Sequence, residues 1–420
     1  MADKLVVIGQ GYVGLPVAVR AVEAGFDVVG YDTAPDKVKR LAAGESYVED
    51  VQSGRLAAAL ASKRYQPSTH INDAAGFDYA VISVPTPLRE GVPDLTFIEE
   101  AALTLAPFVT RGATVILEST TYPGTTEEFL VPILEDGSGL AAGTGFFVGY
   151  SPERIDPGNV DWRFENTPKV VAGIDAKSLN MVKSFYDRLV ETTVPVSSPK
   201  EAELTKLLEN TFRHVNIALV NELAMFANDL GIDVWEAIDA AATKPFGFMA
   251  FRPGPGVGGH CLPIDPSYLS WQVRRSLGQS FRFVELANDV NEHMPDYVVR
   301  RLIVALNQRN LPLKGQRVLL LGLSYKKATG DARESPSRQV ARHLVAMGAD
   351  VCAVDPYVSD AHVPPGVRRT EFTTDEIRDA QAVVLLVDHP DFDPSIVLRE
   401  STYILDTRGV LPAASNVEKL

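Results

Sequence analysis

Residues 5–14 read Leu5-Val6-Val7-Ile8-Gly9-Gln10-Gly11-Tyr12-Val13-Gly14, and apolar residues at helical spacing follow as far as Ala24, where Gly25 stops them. A short apolar run, a glycine-rich turn and an amphipathic stretch make one strand, turn and helix. In that setting each glycine has a task. Gly9 permits the tight turn, Gly11 lets backbone approach a phosphate, and Gly14 allows close packing of the helix, whose first amides can hold a pyrophosphate. Tyr12 and Val13 complete the turn. A second strand, Phe26 to Tyr31, ends in Asp32. An acid there accepts from a ribose 2′-hydroxyl and repels a 2′-phosphate, which favours NAD over NADP. A strand–helix turn without a ligand is the bland alternative for the glycine string alone.

Outward from this unit, Tyr79 to Val84 and Thr114 to Leu117 read as buried strands with helical segments between them. Strands that alternate with helices imply a doubly wound parallel sheet. Far downstream the opening is echoed. Ala24-Gly25-Phe26-Asp27-Val28-Val29-Gly30-Tyr31-Asp32 has a counterpart in Met347-Gly348-Ala349-Asp350-Val351-Cys352-Ala353-Val354-Asp355, and Arg317 to Leu323 supplies the preceding strand and Gly322. Ala382 to Val387 and Thr402 to Leu405 complete a second sheet. The expected fold is α/β, with Rossmann-like lobes over residues 1–197 and 309–420 and an all-α segment, 198–308, between them.

In that middle, Ser198-Pro199-Lys200-Glu201 is a capping box with proline at the first helical position. Apolar residues recur at Leu204, Leu207, Leu208, Val215, Leu219, Leu223, Phe226 and Leu230 before Gly231. A helix from Pro199 to Leu230 would run roughly 48 Å, enough to connect the lobes. Helical signals continue from Val234 to Ala242 and from Phe281 towards Asn307, so the segment is a candidate homodimer interface.

Composition narrows the function. Among 420 residues, 40 are Lys or Arg and 54 are Asp or Glu, a net charge of −14. Such a field repels nucleic acid and anionic lipid, so an anionic ligand needs local cations. No apolar run reaches membrane-spanning length, and no secretory pattern opens the chain. Two cysteines form no disulfide framework, and both read as thiols in a cytoplasmic, reducing setting. No His, Cys or carboxylate cluster has metal spacing.

Three groups could carry chemistry. Lys326, Lys327 and Arg333 follow the first strand of the second lobe, where ligands of open sheets bind, and suggest a phosphorylated substrate. A solvated surface run is the alternative. The stretch Phe251-Arg252-Pro253-Gly254-Pro255-Gly256-Val257-Gly258-Gly259-His260-Cys261-Leu262-Pro263-Ile264-Asp265-Pro266 is a loop with a specified path, and it carries Cys261. A thiol needs a neighbouring cation or donors to act near neutral pH. Lys206 could supply one, and it shares a helix face with Asn210 at i and i+4. A structural turn for the loop and a solvent face for Lys206 and Asn210 remain open. A cysteine-hydrolase reading of His260 beside Cys261 leaves the glycine unit unexplained. Cys352, inside a β-type run, reads as packing.

With GQGYVG, Ser151-Pro152-Glu153-Arg154, the Lys206/Asn210 helix, GPGVGGHC and Asp331-Ala332-Arg333-Glu334-Ser335-Pro336 in order, the whole chain resembles the UDP-glucose/GDP-mannose dehydrogenase family. Thr243-Lys244-Pro245-Phe246-Gly247-Phe248-Met249, with GGHCLPIDP after it, is most similar to the UDP-N-acetylglucosamine 6-dehydrogenase branch. Arg252 departs from that branch, which often has an aromatic there.

The resemblance implies a two-step oxidation of a nucleotide-sugar C6 alcohol to a carboxylate with NAD. Cys261 would attack the aldehyde, giving a thiohemiacetal and then a thioester that water cleaves. By the same resemblance, Lys206 and Asn210 stabilise the oxygen that gains negative charge, Asp265 and Thr120 position the water, and Glu153 is the acid–base group. Tyr325, Lys326, Gly258, Arg252 and Arg408 would meet the nucleotide-sugar, with Arg154 and Ile155 beside Glu153. Arg333 would turn from substrate to cofactor, and Pro85, Thr86, Thr120 and Lys37 would line the cofactor side. UDP-N-acetylglucosamine is the preferred substrate, with UDP-glucose or dTDP-glucose as alternatives. A two-electron hydroxyacid dehydrogenase or a nucleotide-sensing module without turnover would leave Cys261 idle.

Overall fold

A computed structural model describes residues 2–48, 50–89, 91–155, 159, 161–259, 262 and 264–420. Two compact units emerge, one formed by residues 1–209 with 271–277 and the other by 210–270 with 278–420. Their division falls within the long helix, which runs Pro199–Asp229.

The first unit is built on eight strands: β1 (Lys4–Ile8), β2 (Asp27–Tyr31), β3 (Tyr65–Ser68), β4 (Tyr79–Ile82), β5 (Thr114–Leu117), β6 (Phe147–Tyr150), β7 (Lys169–Gly173) and β8 (Thr193–Pro195). Their order is β8-β7-β6-β5-β4-β1-β2-β3. Every pairing is parallel except β6 with β7, where Gly149 meets Gly173 antiparallel. Both faces are covered, as a parallel sheet requires, so the strands are continuous apolar runs. Leu5, Val7 and Val81 pack on one side with Leu15, Val19 and Phe185. Val6, Ile8 and Ile82 pack on the other with Ile98, Leu105 and Leu134.

The second unit repeats this plan with β9 (Arg317–Leu321), β10 (Asp350–Val354), β11 (Arg368–Arg369), β12 (Ala382–Leu385), β13 (Ile404–Asp406) and β14 (Val417–Lys419), all parallel in the order β11-β10-β9-β12-β13-β14. Its first strand lies centrally, with the next two to one side and the last three to the other. The same arrangement holds for β1 to β6. The sequence echo is therefore a repeat of topology. Helix Arg282–Gln308 covers one face of this sheet through Met294, Val298 and Leu302.

Several strands stop earlier than their apolar runs. The stretch Tyr79 to Val84 is strand only to Ile82, because Ser83 turns towards Gly9 and donates to its carbonyl at 3.1 Å. The long helix holds a larger surprise. Leu204, Leu208, Phe212, Leu219, Leu223, Phe226 and Leu230 are exposed, with Leu208 at 62%, whereas Glu203, Asn210, His214 and Asn221 are buried. Most of its apolar stripe is therefore exposed, although Leu207 is buried and Val215 half-buried. No helix among the described residues is long and apolar enough to cross a membrane.

Candidate active site

In the first unit, the chain leaves β1 through Gly9 at φ +90°, a conformation that L side chains seldom adopt. A Cβ on Gly9 would lie 2.5 Å from the Ser83 carbonyl oxygen, and one on Gly14 would lie 1.9 Å from that of Gly9. At Gly11 the same atom would meet nothing within 4 Å. Gly9 and Gly14 thus answer to the protein's own packing, while Gly11 opens onto space. Helix Gly14–Glu23 starts beside that space with no side-chain cap and no acid in its first turn. The Leu15 N–H donates to the Gly11 carbonyl at 3.2 Å and Pro16 has no N–H, so what this end offers an anion is chiefly the partial positive charge of the helix. Tyr12 is exposed and Val13 half-buried at the rim.

Asp32 fits the far end of such a ligand. It is 7% exposed, and its two oxygens accept from the Gln10 N–H at 3.0 Å and the Ala34 N–H at 2.9 Å. Lys37 stands 3.6 Å away. These bonds orient the carboxylate at the edge where a ribose would sit. The glycine cradle, the uncapped helix and Asp32 together fit NAD.

The loops after β4 and β5 are tied to each other. Ser119 Oγ receives the Val84 N–H at 3.0 Å and donates to the Val84 carbonyl at 2.8 Å, which fixes the path into Pro85 and the buried Thr86. Thr120 follows, half-buried. Beyond it, Glu203 of the long helix accepts from the Gly124 N–H at 2.6 Å, the Thr126 N–H at 2.9 Å and the Thr126 hydroxyl at 2.7 Å. Burial pushes the Glu203 carboxyl up to about 7 against the pull of these donors.

Glu153, in the loop after β6, accepts the Ile155 N–H and is nearly covered. Arg154 is engaged elsewhere, by Glu209 at 2.7 Å and the Pro168 carbonyl at 2.6 Å. Behind Glu153 lie two groups that sequence reasoning missed, Glu118 and Lys169, 2.7 Å apart and buried. The available signal was an ionisable residue, Lys169, opening the otherwise apolar run Lys169-Val170-Val171-Ala172.

In the second unit, Asn210 donates to Asp265 at 2.5 Å, with both side chains buried. Lys206, one turn earlier on the same helix and within the first unit, is half-buried and has no ion-pair partner among the described residues. Cys261 lies outside the described residues, as do its neighbours His260 and Pro263.

The remaining substrate candidates gather at the carboxyl ends of β9, β12 and β13. A Cβ on Gly258 would stand 2.8 Å from the Tyr325 Cβ and the Glu334 carbonyl oxygen, so the glycine-rich loop rests against Tyr325. Lys326 Nζ lies 5.9 Å from the Tyr325 ring centroid. Arg408 is 3.5 Å from Asp388, whose other oxygen is 3.9 Å from Lys327. Two further candidates already have acidic partners. Arg252 pairs with Asp239, and Arg333 makes a two-pronged contact to Asp331 at 2.9 and 2.7 Å.

Sequence reasoning also missed His389. Its Nδ1 accepts the Ala328 N–H at 3.1 Å and its Nε2 lies 3.1 Å from Asp355, which anchors the loop that carries Tyr325 and Lys326. Burial opposes the Asp355 charge, yet His389 and the Leu323, Tyr357 and Ser324 amides hold its carboxyl well below the usual range.

This geometry agrees with what the chain resembles. Residues 3–190 match the NAD binding domain of the UDP-glucose/GDP-mannose dehydrogenase family, 200–293 its central domain and 319–413 its UDP binding domain. A UDP-N-acetyl-D-glucosamine 6-dehydrogenase of Pseudomonas aeruginosa is 37% identical over 93% of this chain and 91% of its own. The solved UDP-D-ManNAc dehydrogenase of Pyrococcus horikoshii superposes with a TM-score of 0.90 at 32% identity, covering 99% of this chain and 98% of that one. A UDP-glucose dehydrogenase from Pyrobaculum islandicum gives 0.88 at 29% identity, with 100% and 97% covered. A glycine cradle ending at Asp32, a second sheet with basic residues at its carboxyl edge, and matches to three successive domains lead to one assignment: the chain belongs to the UDP-glucose/GDP-mannose dehydrogenase family and is an NAD-dependent UDP-sugar dehydrogenase.

Proposed function

We propose that this enzyme oxidises the C6 alcohol of a UDP-2-acetamido sugar to the carboxylate in two steps, with UDP-N-acetylglucosamine as the preferred substrate. The observation that carries the reading is the buried Asn210–Asp265 pair, whose Asp265 stands four residues on from Cys261 in the sequence. A merely structural loop has no need of a buried carboxylate held by a buried amide so soon after its one thiol. Relatives named for N-acetylglucosamine and N-acetylmannosamine support the acetamido group at C2.

NAD, when bound, takes up two electrons at each oxidation. The chain supplies the rest. Gly9 and Gly14 shape the turn in which Gly11, Tyr12 and Val13 meet the pyrophosphate, Asp32 and Lys37 meet the ribose, and Pro85, Thr86 and Thr120 border the cofactor, with Arg333 as a further contact. Tyr325, Lys326, Gly258, Arg252 and Arg408 hold the nucleotide-sugar, with Glu153, Arg154 and Ile155 beside the sugar. Cys261 adds to the aldehyde carbon, and the resulting thiohemiacetal again has a carbinol hydrogen to lose. Lys206 and Asn210 donate to the oxygen that gains charge, which disperses it where water is scarce. Water then attacks the thioester, oriented by Asp265 and Thr120, with Glu153 moving its proton.

The exposed stripe Leu204, Leu208, Leu219, Leu223 and Phe226 supports a homodimer with this helix at the interface, since a contiguous apolar face of this kind costs stability in water. The domain division we favour is 1–197, 198–308 and 309–420, with the central segment as the dimerising one. No part of the reading calls for a metal, nucleic acid or membrane, and the cytoplasm supplies both NAD and nucleotide-sugars.

The test is the NADH end-point with limiting UDP-sugar and excess NAD⁺. Two NADH per UDP-N-acetylglucosamine are expected, with UDP-N-acetylmannosamine and UDP-glucose slower. Cys261→Ser should bind NAD normally and release no uronate. One NADH per sugar, or normal turnover of that variant, would remove the covalent mechanism, and preference for UDP-glucose would remove the acetamido reading.

A further inference from the structure

Gln10, between the first two glycines of the turn in the first unit, is completely buried, and each of its polar groups has a partner. Its backbone N–H donates to Asp32 Oδ2 at 3.0 Å, and its carbonyl accepts from the Tyr47 hydroxyl at 2.5 Å. In the side chain, Nε2 donates to the Val7 carbonyl at 2.9 Å and the Gly9 carbonyl at 3.2 Å, while Oε1 accepts from the Tyr65 hydroxyl at 2.7 Å. Tyr65 opens β3 and is itself buried, and Tyr47 follows helix Pro35–Ala42. Burial first, and the Asp32 charge as well, push both phenols up, so each keeps the proton it donates.

A turn that only joined β1 to its helix would have no use for this arrangement. An apolar side chain fills such a space with no polar atom to satisfy, whereas a buried amide costs stability unless its hydrogen bonds are made. The neighbouring strand is also shaped to it. Gly30 lies inside β2 without the positive φ that calls for glycine, and a Cβ there would stand 2.5 Å from Gln10 Oε1 and 2.7 Å from the Tyr65 hydroxyl. Glycine weakens a strand interior, so its presence marks the room that the Gln10–Tyr65 bond requires. What these bonds hold still is the turn residue whose N–H reaches Asp32. That carboxylate accepts the Gln10 amide on Oδ2 and the Ala34 amide on Oδ1 at 2.9 Å, so each oxygen has a second lone pair to offer a ribose hydroxyl.

We propose that Gln10, Tyr65 and Tyr47 are positioning residues for the cofactor: they fix the Gln10 amide, the amide fixes the plane of the Asp32 carboxylate, and that plane decides how well NAD is held and NADP refused. This rests on the reading of Asp32 as the ribose acceptor. Both carboxylate oxygens turn together about the Cβ–Cγ bond, so slippage of the Gln10 N–H swings both second lone pairs off the ribose. Helix Pro35–Ala42 belongs to the same set. Its Lys37 stands 3.6 Å from Asp32, and its Arg40 guanidinium lies 5.2 Å from the ring centroid of Tyr47.

The experiment is fluorescence titration of the full chain with NADH and with NADPH, beside thermal melts. Tyr65→Phe and Tyr47→Phe each remove one hydroxyl and should raise the Kd for NADH about two- to tenfold, the contribution of one hydrogen bond, and narrow the preference over NADPH. In an Asp32→Ser background the same substitutions should change neither, because no carboxylate is left to aim. Tyr65→Phe is near-isosteric, and the half-buried Tyr47 gives a second reading where Tyr65→Phe fails to fold. Affinities unmoved while only the melting temperature falls would overturn the proposal, as would the same fold-change with and without Asp32. If Asp32→Ser alone left NADH affinity and the preference over NADPH unchanged, the ribose reading of Asp32 would fall, and the proposal with it.

Discussion

Asn210 gives its side-chain amide to Asp265 at 2.5 Å, and the bond joins the long helix to the first turn of helix Asp265–Leu277. Donation to a carboxylate fixes the amide's orientation, so its other hydrogen is directed rather than free to rotate. Asn210→Ala removes both hydrogens and should lower kcat by about 10²-fold, the scale of losing one oxyanion donor. Asn210→Asp should do more harm, because two buried carboxylates in contact cannot both ionise. Steady-state rates with UDP-N-acetylglucosamine check this, with equal rates in the two variants as the contrary result.

The glycine turn separates packing from binding. In Gly14→Ala the new methyl collides with the Gly9 carbonyl 1.9 Å away and with Ser83 Oγ at 2.4 Å, and backbone cannot step aside cheaply. A loss of about 1–3 kcal/mol in stability is expected. Gly11→Ala meets no atom within 4 Å, so its melting temperature should hold while NAD affinity falls tenfold or more, about 1.4 kcal/mol. Thermal melts beside fluorescence titrations with NADH distinguish the two. If both variants lost stability equally, the open space at Gly11 would not be a ligand's.

Much of this was legible in the residues, for local reasons. Gly9, Gly14 and Asp32 announce themselves because a φ of +90°, a close approach and a strand-end acceptor admit few residue types, and the same grammar in Gly348 and Asp355 exposes the second sheet. Helix limits at Pro199 and Val234 follow from caps. Other features depend on neighbours distant in sequence. Periodicity in Leu204, Leu208 and Leu219 reveals a face but not what it faces, and the burial of Glu203, Asn210 and Asn221 opposite it runs against the polar-outside rule. Lys169 at a strand opening reads as a solvent-facing end. Its partner Glu118 comes from the loop after another strand, β5, and no local pattern pairs them.

Asp32 makes a prediction about cofactor choice. Its carboxylate accepts two turn amides and stands 3.6 Å from Lys37, so substitution disturbs the turn as well as the ribose contact. Asp32→Ser keeps a short acceptor and removes the charge. KM for NAD should rise about tenfold, the cost of one charged hydrogen bond, and NADP should gain measurable turnover because the repulsion of its 2′-phosphate is gone. Unchanged discrimination between the cofactors would place the ribose elsewhere.

Glu203 should give the enzyme a pH-dependent stability of a definite sign. Burial raises its carboxyl from an ordinary 4.5 to about 7 despite three donors. Between those values the folded chain retains a proton that the unfolded chain releases, so stability falls as pH rises through this window and levels off above it. At full effect the loss is about 3 kcal/mol, because each tenfold change in proton affinity on folding is worth about 1.4 kcal/mol. Glu203→Gln keeps an acceptor for the Gly124 and Thr126 amides and has no charge to desolvate. Its melting temperature relative to wild type should therefore climb from pH 5 to pH 8, whatever fixed offset the substitution brings. A difference that stays flat across that range would mean that Glu203 is ionised throughout, its three hydrogen bonds outweighing burial. The segment beyond Thr120 would then be anchored by a permanent carboxylate rather than a titrating one.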